Sequence, residues 1–107
     1  MAFAVEAAKK EGLGNFSVLS AHKALMPAVG ALLLDPAVKI GAFLCPGHAS
    51  MVLGANVYVP VAEKYKIPCV VAGFEPLDVL VGIIMILRQA KEGVAKMENG
   101  YPRVVTA

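Results

Sequence analysis

Residues 69–89, CVVAGFEPLDVLVGIIMILRQ, decide the fold. Cys69, Val70, Val71 and Ala72 form a short, unbroken apolar run, the pattern of a strand buried on both faces. Gly73 permits a sharp exit from that strand. Pro76 suits a first helical position, where its missing N–H costs nothing and its fixed φ helps. Glu75 and Asp78 put negative charge at the positive end of the helix that follows. From 79 to 87 that helix is apolar almost all round, which predicts cover on more than one side. Open α/β sheets place their working residues where these carboxylates stand, at the carboxyl end of a buried parallel strand.

Working outward, the same alternation recurs. Upstream, residues 59–65 read as a helix with Pro60 in its first turn, and Ile67–Pro68 returns the chain to the strand. Residues 40–44 make an earlier strand that runs into Cys45-Pro46-Gly47-His48-Ala49-Ser50, with a short helix at 50–53 and a break at 54–56. Pro27 opens a helix to about residue 34, ended by Asp35–Pro36 because the residue before proline avoids helical geometry. Residues 16–20 alternate as a further strand, and 2–11 form a helix stopped by Gly12. No capping residue precedes that first helix, as expected of a chain that opens inside an element. Downstream, 94–98 is a short strand candidate and Asn99-Gly100 a turn.

Strands alternating with helices predict an α/β fold: a parallel, Rossmann-like sheet of about four strands, right-handed crossovers, and helices on both faces. The 107 residues form a single α/β domain, and 1–22 can also be read as belonging to, or leading from, a preceding domain. An apolar content of 58% with 17% charged residues is rich for so small a domain. It fits a fragment of a larger multidomain protein whose other parts cover some of this surface.

The net charge of +2 and ten scattered basic residues give no footprint for nucleic acid. No stretch reaches the roughly eighteen apolar residues of a membrane span, and the N-terminus is a poor signal peptide. The expectation is a cytoplasmic protein with Cys45 and Cys69 as reduced, buried thiols. Placed at the end of one parallel strand and the start of another, the two cysteines are expected at opposite edges of the sheet, too far apart for a disulfide.

Three strands end in polar residues: His22 with Lys23, His48 with Ser50, and Glu75 with Asp78. Parallel strands send these loops to one edge, so the groups are candidates to share a cleft. A metal reading of the two histidines and a carboxylate finds no spacing fixed by a helix to support it. His22 reads as a solvated loop residue. His48 follows Pro-Gly at the mouth of a buried strand, a costly local shape that favours a working role. Glu75 gains about 0.3–1 kcal/mol as a helix-start acid, yet Asp or Ser caps better, so its longer side chain suits reach into a cleft. Nucleotide fingerprints and the G-x-S-x-G elbow are absent.

FLCPGHAS, followed some twenty residues on by EKYKIPCVVAGFEPLDVL, resembles the central part of HypD, the maturation factor of nickel–iron hydrogenases. NFSVLSAHKALMPAV and ENGYPRVV also match that family's pattern. Ala49, Met26 and Gly100 depart from it, standing where valine, proline and glutamine are usual. The resemblance implies a cytoplasmic scaffold that works with a HypC-like chaperone and a HypE-like cyanide donor. On that scaffold an iron centre receives its cyanide and carbon monoxide ligands. By resemblance, the cleft is lined by Pro46, Gly47, His48, Gly73, Phe74, Glu75 and Pro76, with Asp78 and Ser50 close by. No catalytic set and no resident metal are expected in this piece. The family's iron-carrying and redox cysteines, and those of its iron–sulfur cluster, lie in motifs that this sequence lacks. The rival reading is a free-standing α/β enzyme or small-ligand binder using His48 and Glu75 as acid and base. A third is a domain that self-associates through its apolar helix at 79–87.

Overall fold

A computed structural model describes residues 2–21 and 23–106; the expectation for His22 lies outside the described residues. The elements in order are α1 (Ala2–Lys10), α2 (Leu25–Leu34), β1 (Phe43–Pro46), α3 (Gly47–Leu53), a 3₁₀ turn (Ala55–Tyr58), α4 (Val59–Tyr65), β2 (Cys69–Ala72), α5 (Pro76–Glu92) and β3 (Met97–Asn99). The fold is α/β, with a parallel sheet in the order β1-β2-β3.

β2 is the central strand, and all four of its residues are buried. Val70 and Val71, fully buried, are each worth about 1.5–3 kcal/mol of hydrophobic stabilisation. Because side chains alternate along a strand, Cys69 and Val71 face one way and Val70 and Ala72 the other. The first face packs with Val29 of α2, Tyr58 of the 3₁₀ turn, and Val61 and Ala62 of α4. The second carries α5, whose Gly82 lies against Leu44 and Ala72. Helices therefore cover both faces. The sheet grows in one direction while its two crossovers pass over opposite faces, so they have opposite hands, contrary to the right-handed expectation.

Among the described residues three strands form where about four are expected, because residues 16–20 stay outside the sheet. Alternation alone does not make a strand; a sheet ladder must also take up the backbone, and 16–20 are not assigned to the sheet. β1 starts at Phe43, not at residue 40. Phe43 N–H donates to the Pro68 carbonyl at 2.8 Å, but Pro68 has no N–H with which to carry the ladder further. β3 starts at Met97, not at 94, since residues 93 and 94 are committed to closing α5. Gly93, in the left-handed region at φ +66, donates to Ala90 O, and Val94 donates to Gln89 O at 3.0 Å. The fully buried Gln89 then fixes β3, accepting from Lys96 N at 2.9 Å and donating to Glu98 Oε1 at 2.7 Å.

The strand shifts also correct the placement of the cysteines. Phe43 pairs with Cys69 and Cys45 with Val71, so Cys45 lies inside β1, on the same face as Cys69 and two residues further along. The thiols are neighbours on adjacent strands, not groups at opposite edges.

α5 is covered on one side, where cover on more than one was expected. Asp78, Gly82 and Gln89 are its buried residues, while Leu77, Leu80, Val81, Ile83, Ile84 and Leu87 are exposed. Three short strands cannot cover the whole girth of an apolar helix. α1 buries Ala8 and little else. The Cα radius of gyration is 17.2 Å, against about 13 Å for a compact chain of this length.

Candidate functional site: two turns on one sheet edge

The register decides where the two turns emerge. Pro46 and Ala72, the last residues of β1 and β2, are partners across the ladder, and the strands are parallel. Pro46-Gly47-His48 and Gly73-Phe74-Glu75-Pro76 therefore leave the sheet side by side at its carboxyl edge. The His48 and Phe74 rings meet with centroids 4.8 Å apart and planes tilted by 57°, within the usual range for paired rings.

These residues divide into a floor and a rim. Gly47, Gly73 and Asp78 are buried and Pro46 is half-buried; His48, Phe74, Glu75 and Pro76 are exposed. The floor requires glycine. A Cβ on Gly47 would stand 2.6 Å from the Ala72 carbonyl oxygen and 2.7 Å from Cδ1 of Tyr101, and one on Gly73 would stand 2.8 Å from Cε2 of Tyr101. Tyr101 thus lies against both turns at once.

Glu75 is the N-cap residue of α5, with extended backbone and no capping hydrogen bond from its side chain. That side chain is 77% exposed and stands 3.6 Å from Arg103 Nη2. Asp78 behaves oppositely. Its side chain is 8% exposed and receives two parallel hydrogen bonds from Arg103, Nη1 to Oδ1 and Nη2 to Oδ2, both 2.8 Å. This two-pronged geometry is the strong form of a carboxylate–guanidinium pair. The Arg103 guanidinium holds the Asp78 carboxyl below the usual carboxylate range, and burial opposes it less strongly. Arg103 also stacks on Tyr101, 4.6 Å from the ring centroid. Asp78 is thus an anchor, and Glu75 is the carboxylate left facing outward.

Ser50 stands behind the site. It is fully buried, its hydroxyl donates to the Pro46 carbonyl at 2.8 Å, and it receives the Tyr58 hydroxyl at 3.3 Å. It fixes the turn that presents His48 and does not reach the rim.

Sequence reading missed Tyr101 and Arg103, which tie the two turns together. Asn99 brackets the segment that carries them: its Oδ1 accepts from Tyr101 N at 2.9 Å and its Nδ2 donates to Val105 O at 2.7 Å. The available signal was the family-like stretch ENGYPRVV, read locally as a turn. Among the described residues no group of three or more His, Cys, Asp or Glu could hold a metal ion. No helix there is long and apolar enough to cross a membrane.

The whole described length also matches known proteins. A family model described as HypD, hydrogenase formation hypA family, matches residues 1–107. The hydrogenase maturation factor HypD of Rhodobacter capsulatus is 48% identical over 104 residues, covering 97% of this chain and 28% of the relative. A hydrogenase expression/formation protein of Methanocaldococcus jannaschii is 50% identical over 97 residues, 91% of this chain and 27% of the relative. HypD of Escherichia coli K12 is 43% identical over 104 residues, again 97% and 28%. The chain thus spans little more than a quarter of the length of these relatives, and it belongs to the HypD family of hydrogenase formation proteins.

Proposed function

We propose that this chain supplies one wall of a cleft in a hydrogenase maturation scaffold, on which the iron–cyanide–carbon monoxide centre is assembled with a HypC-like chaperone and a HypE-like cyanide donor. The observation that carries the reading is the meeting of His48 and Phe74 on the rim that also presents Glu75. An imidazole and a carboxylate displayed on one sheet edge, in a family named for hydrogenase formation, can accept and donate hydrogen bonds to a polar cargo. Glu75, balanced by Arg103 at 3.6 Å, keeps its charge exposed and available. Asp78 and Arg103 position the turn and are not offered to the cargo.

The iron centre is cargo in this proposal. The iron–sulfur cluster implied by the longer family members is another matter. Such clusters take four thiolates, and this chain has two cysteines, both within the sheet. Its donor set does not fit a cluster.

The test is hydrogenase activity in cells whose family member, at its full length, carries His48→Ala or Glu75→Gln. Both residues are exposed, so the variants should fold and accumulate as wild type does. Each should lower mature hydrogenase at least tenfold. Undiminished hydrogenase with either variant refutes the role.

A further inference from the structure

Beneath the rim lies a feature that the maturation reading does not use. On the sheet face opposite α5, a cavity of about 190 Å³ is walled by Leu25, Val29, Phe43, Tyr58 and Val61, and both Cys45 and Cys69 open onto it. Both thiols are free and almost wholly buried, at 4% and 0% exposure. Each turns to a carbonyl two residues back in its own chain: Cys45 Sγ to Phe43 O at 4.0 Å and Cys69 Sγ to Ile67 O at 3.6 Å. These contacts are long and easily given up.

Register fixes what the pair can do. One strand across (about 4.8 Å) and two residues along (about 6.6 Å) put their Cα atoms about 8 Å apart, past the roughly 7 Å limit for a direct disulfide without backbone movement. Side chains on one face still converge, so a single atom placed between the sulfurs can bridge what an S–S bond cannot. The apolar wall favours a bridge that leaves no net charge, since burying an unpaired ion is costly. Space is adequate as well: an apolar cavity of about 150 Å³ admits a benzene ring.

We propose that Cys45 and Cys69 form a bidentate dithiol site for a small, soft, thiophilic centre bearing an apolar substituent, the sulfurs taking the centre and the cavity taking the substituent. A trivalent organoarsenical has this chemistry. Its hydrated form carries two As–OH groups. Two As–O bonds break, two As–S bonds form, the two thiol protons leave in two waters, and arsenic stays trivalent throughout. The thiols titrate as a pair: hydrogen bonding to Cys45 draws Cys69 down from its ordinary value, while the same partner and burial push Cys45 up. Whichever thiolate attacks first, the other closes the ring.

The probe is phenylarsine oxide, with the purified protein under reducing conditions. Intact mass spectrometry should show one adduct per chain with the circular dichroism spectrum unchanged. Both cysteines should be protected from alkylation. A large excess of monothiol should leave the adduct in place, and a small dithiol should remove it. Cys45→Ser and Cys69→Ser should each lose the adduct to monothiol at least tenfold more readily. Val61→Phe, which fills the cavity but keeps both sulfurs, should weaken capture of phenylarsine oxide while inorganic arsenite still binds. An adduct stripped from the wild type by monothiol, or formed only in urea, overturns the proposal and needs no variant. Equal retention by either single-cysteine variant overturns it too.

Discussion

Replacing Gly47 by alanine tests the packing of the two turns with one methyl group. The new Cβ would lie 2.6 Å from Ala72 O and 2.7 Å from Tyr101 Cδ1. The tyrosine ring can tilt, but the oxygen cannot retreat freely, because Ala72 is the last residue of β2 and pairs with Pro46. Overpacking against backbone costs about 1–3 kcal/mol. Removing a glycine returns at most about 1 kcal/mol of helix propensity, and less at the first position of α3. The net expectation is a loss of about 1–2 kcal/mol in urea unfolding followed by circular dichroism. Gly82→Ala is the comparison. Its Cβ would meet Leu44 Cδ1, the end of a flexible side chain, at 2.6 Å, and Ala72 Cβ at 3.1 Å, while the full propensity gain applies inside α5. That variant should lie within about 1 kcal/mol of wild type. A Gly47→Ala protein as stable as wild type, or one less affected than Gly82→Ala, would refute this account of the turns.

Other outcomes follow from the same contacts. Because Arg103 depresses the folded carboxyl of Asp78, the pair stabilises the fold above the unfolded Asp value of about 3.9 and loses that contribution as pH falls through the lower folded value. Asp78→Asn should flatten the acid limb of a stability-versus-pH curve, and an unchanged limb would contradict the pairing. Gln89→Leu leaves the Lys96 amide without its acceptor and should cost about 1–3 kcal/mol, with faster hydrogen exchange in β3 than in β2. Lys66 ends α4 in the left-handed region at φ 55, where a non-glycine residue pays about 1–2 kcal/mol. Lys66→Gly should therefore raise the urea midpoint.

Much of the architecture was legible because local signals agreed there. The limits of β2 and α4 fall where the run CVVA and the early Pro60 put them, since flanking Pro68, Gly73 and Lys66 leave little freedom. The shared edge of His48 and Glu75 followed from parallel topology alone. What escaped was long-range. Residues 16–20 alternate like a strand, but no rule of periodicity tells whether a neighbour exists to pair with them. The cysteines were misplaced because their relation depends on a register that a three-residue change in the start of β1 resets. Asp78 reads as a helix-start acid whether it faces water or Arg103, 25 positions along the chain. Only the fold shows that the guanidinium arrives, and that Tyr101 closes over two glycines on its way.

The central claim is that His48 and Glu75 act as one site, and a double-mutant cycle on hydrogenase maturation tests it most directly. In a family member at full length, His48→Ala, Glu75→Gln and the pair are compared by the amount of mature hydrogenase formed at equal scaffold level. Two groups serving one cargo should be non-additive, with the double variant no more than about threefold below the worse single, since coupled neighbours share their loss. A double variant whose defect equals the product of the two single defects would show that the two turns work separately, and would contradict the account.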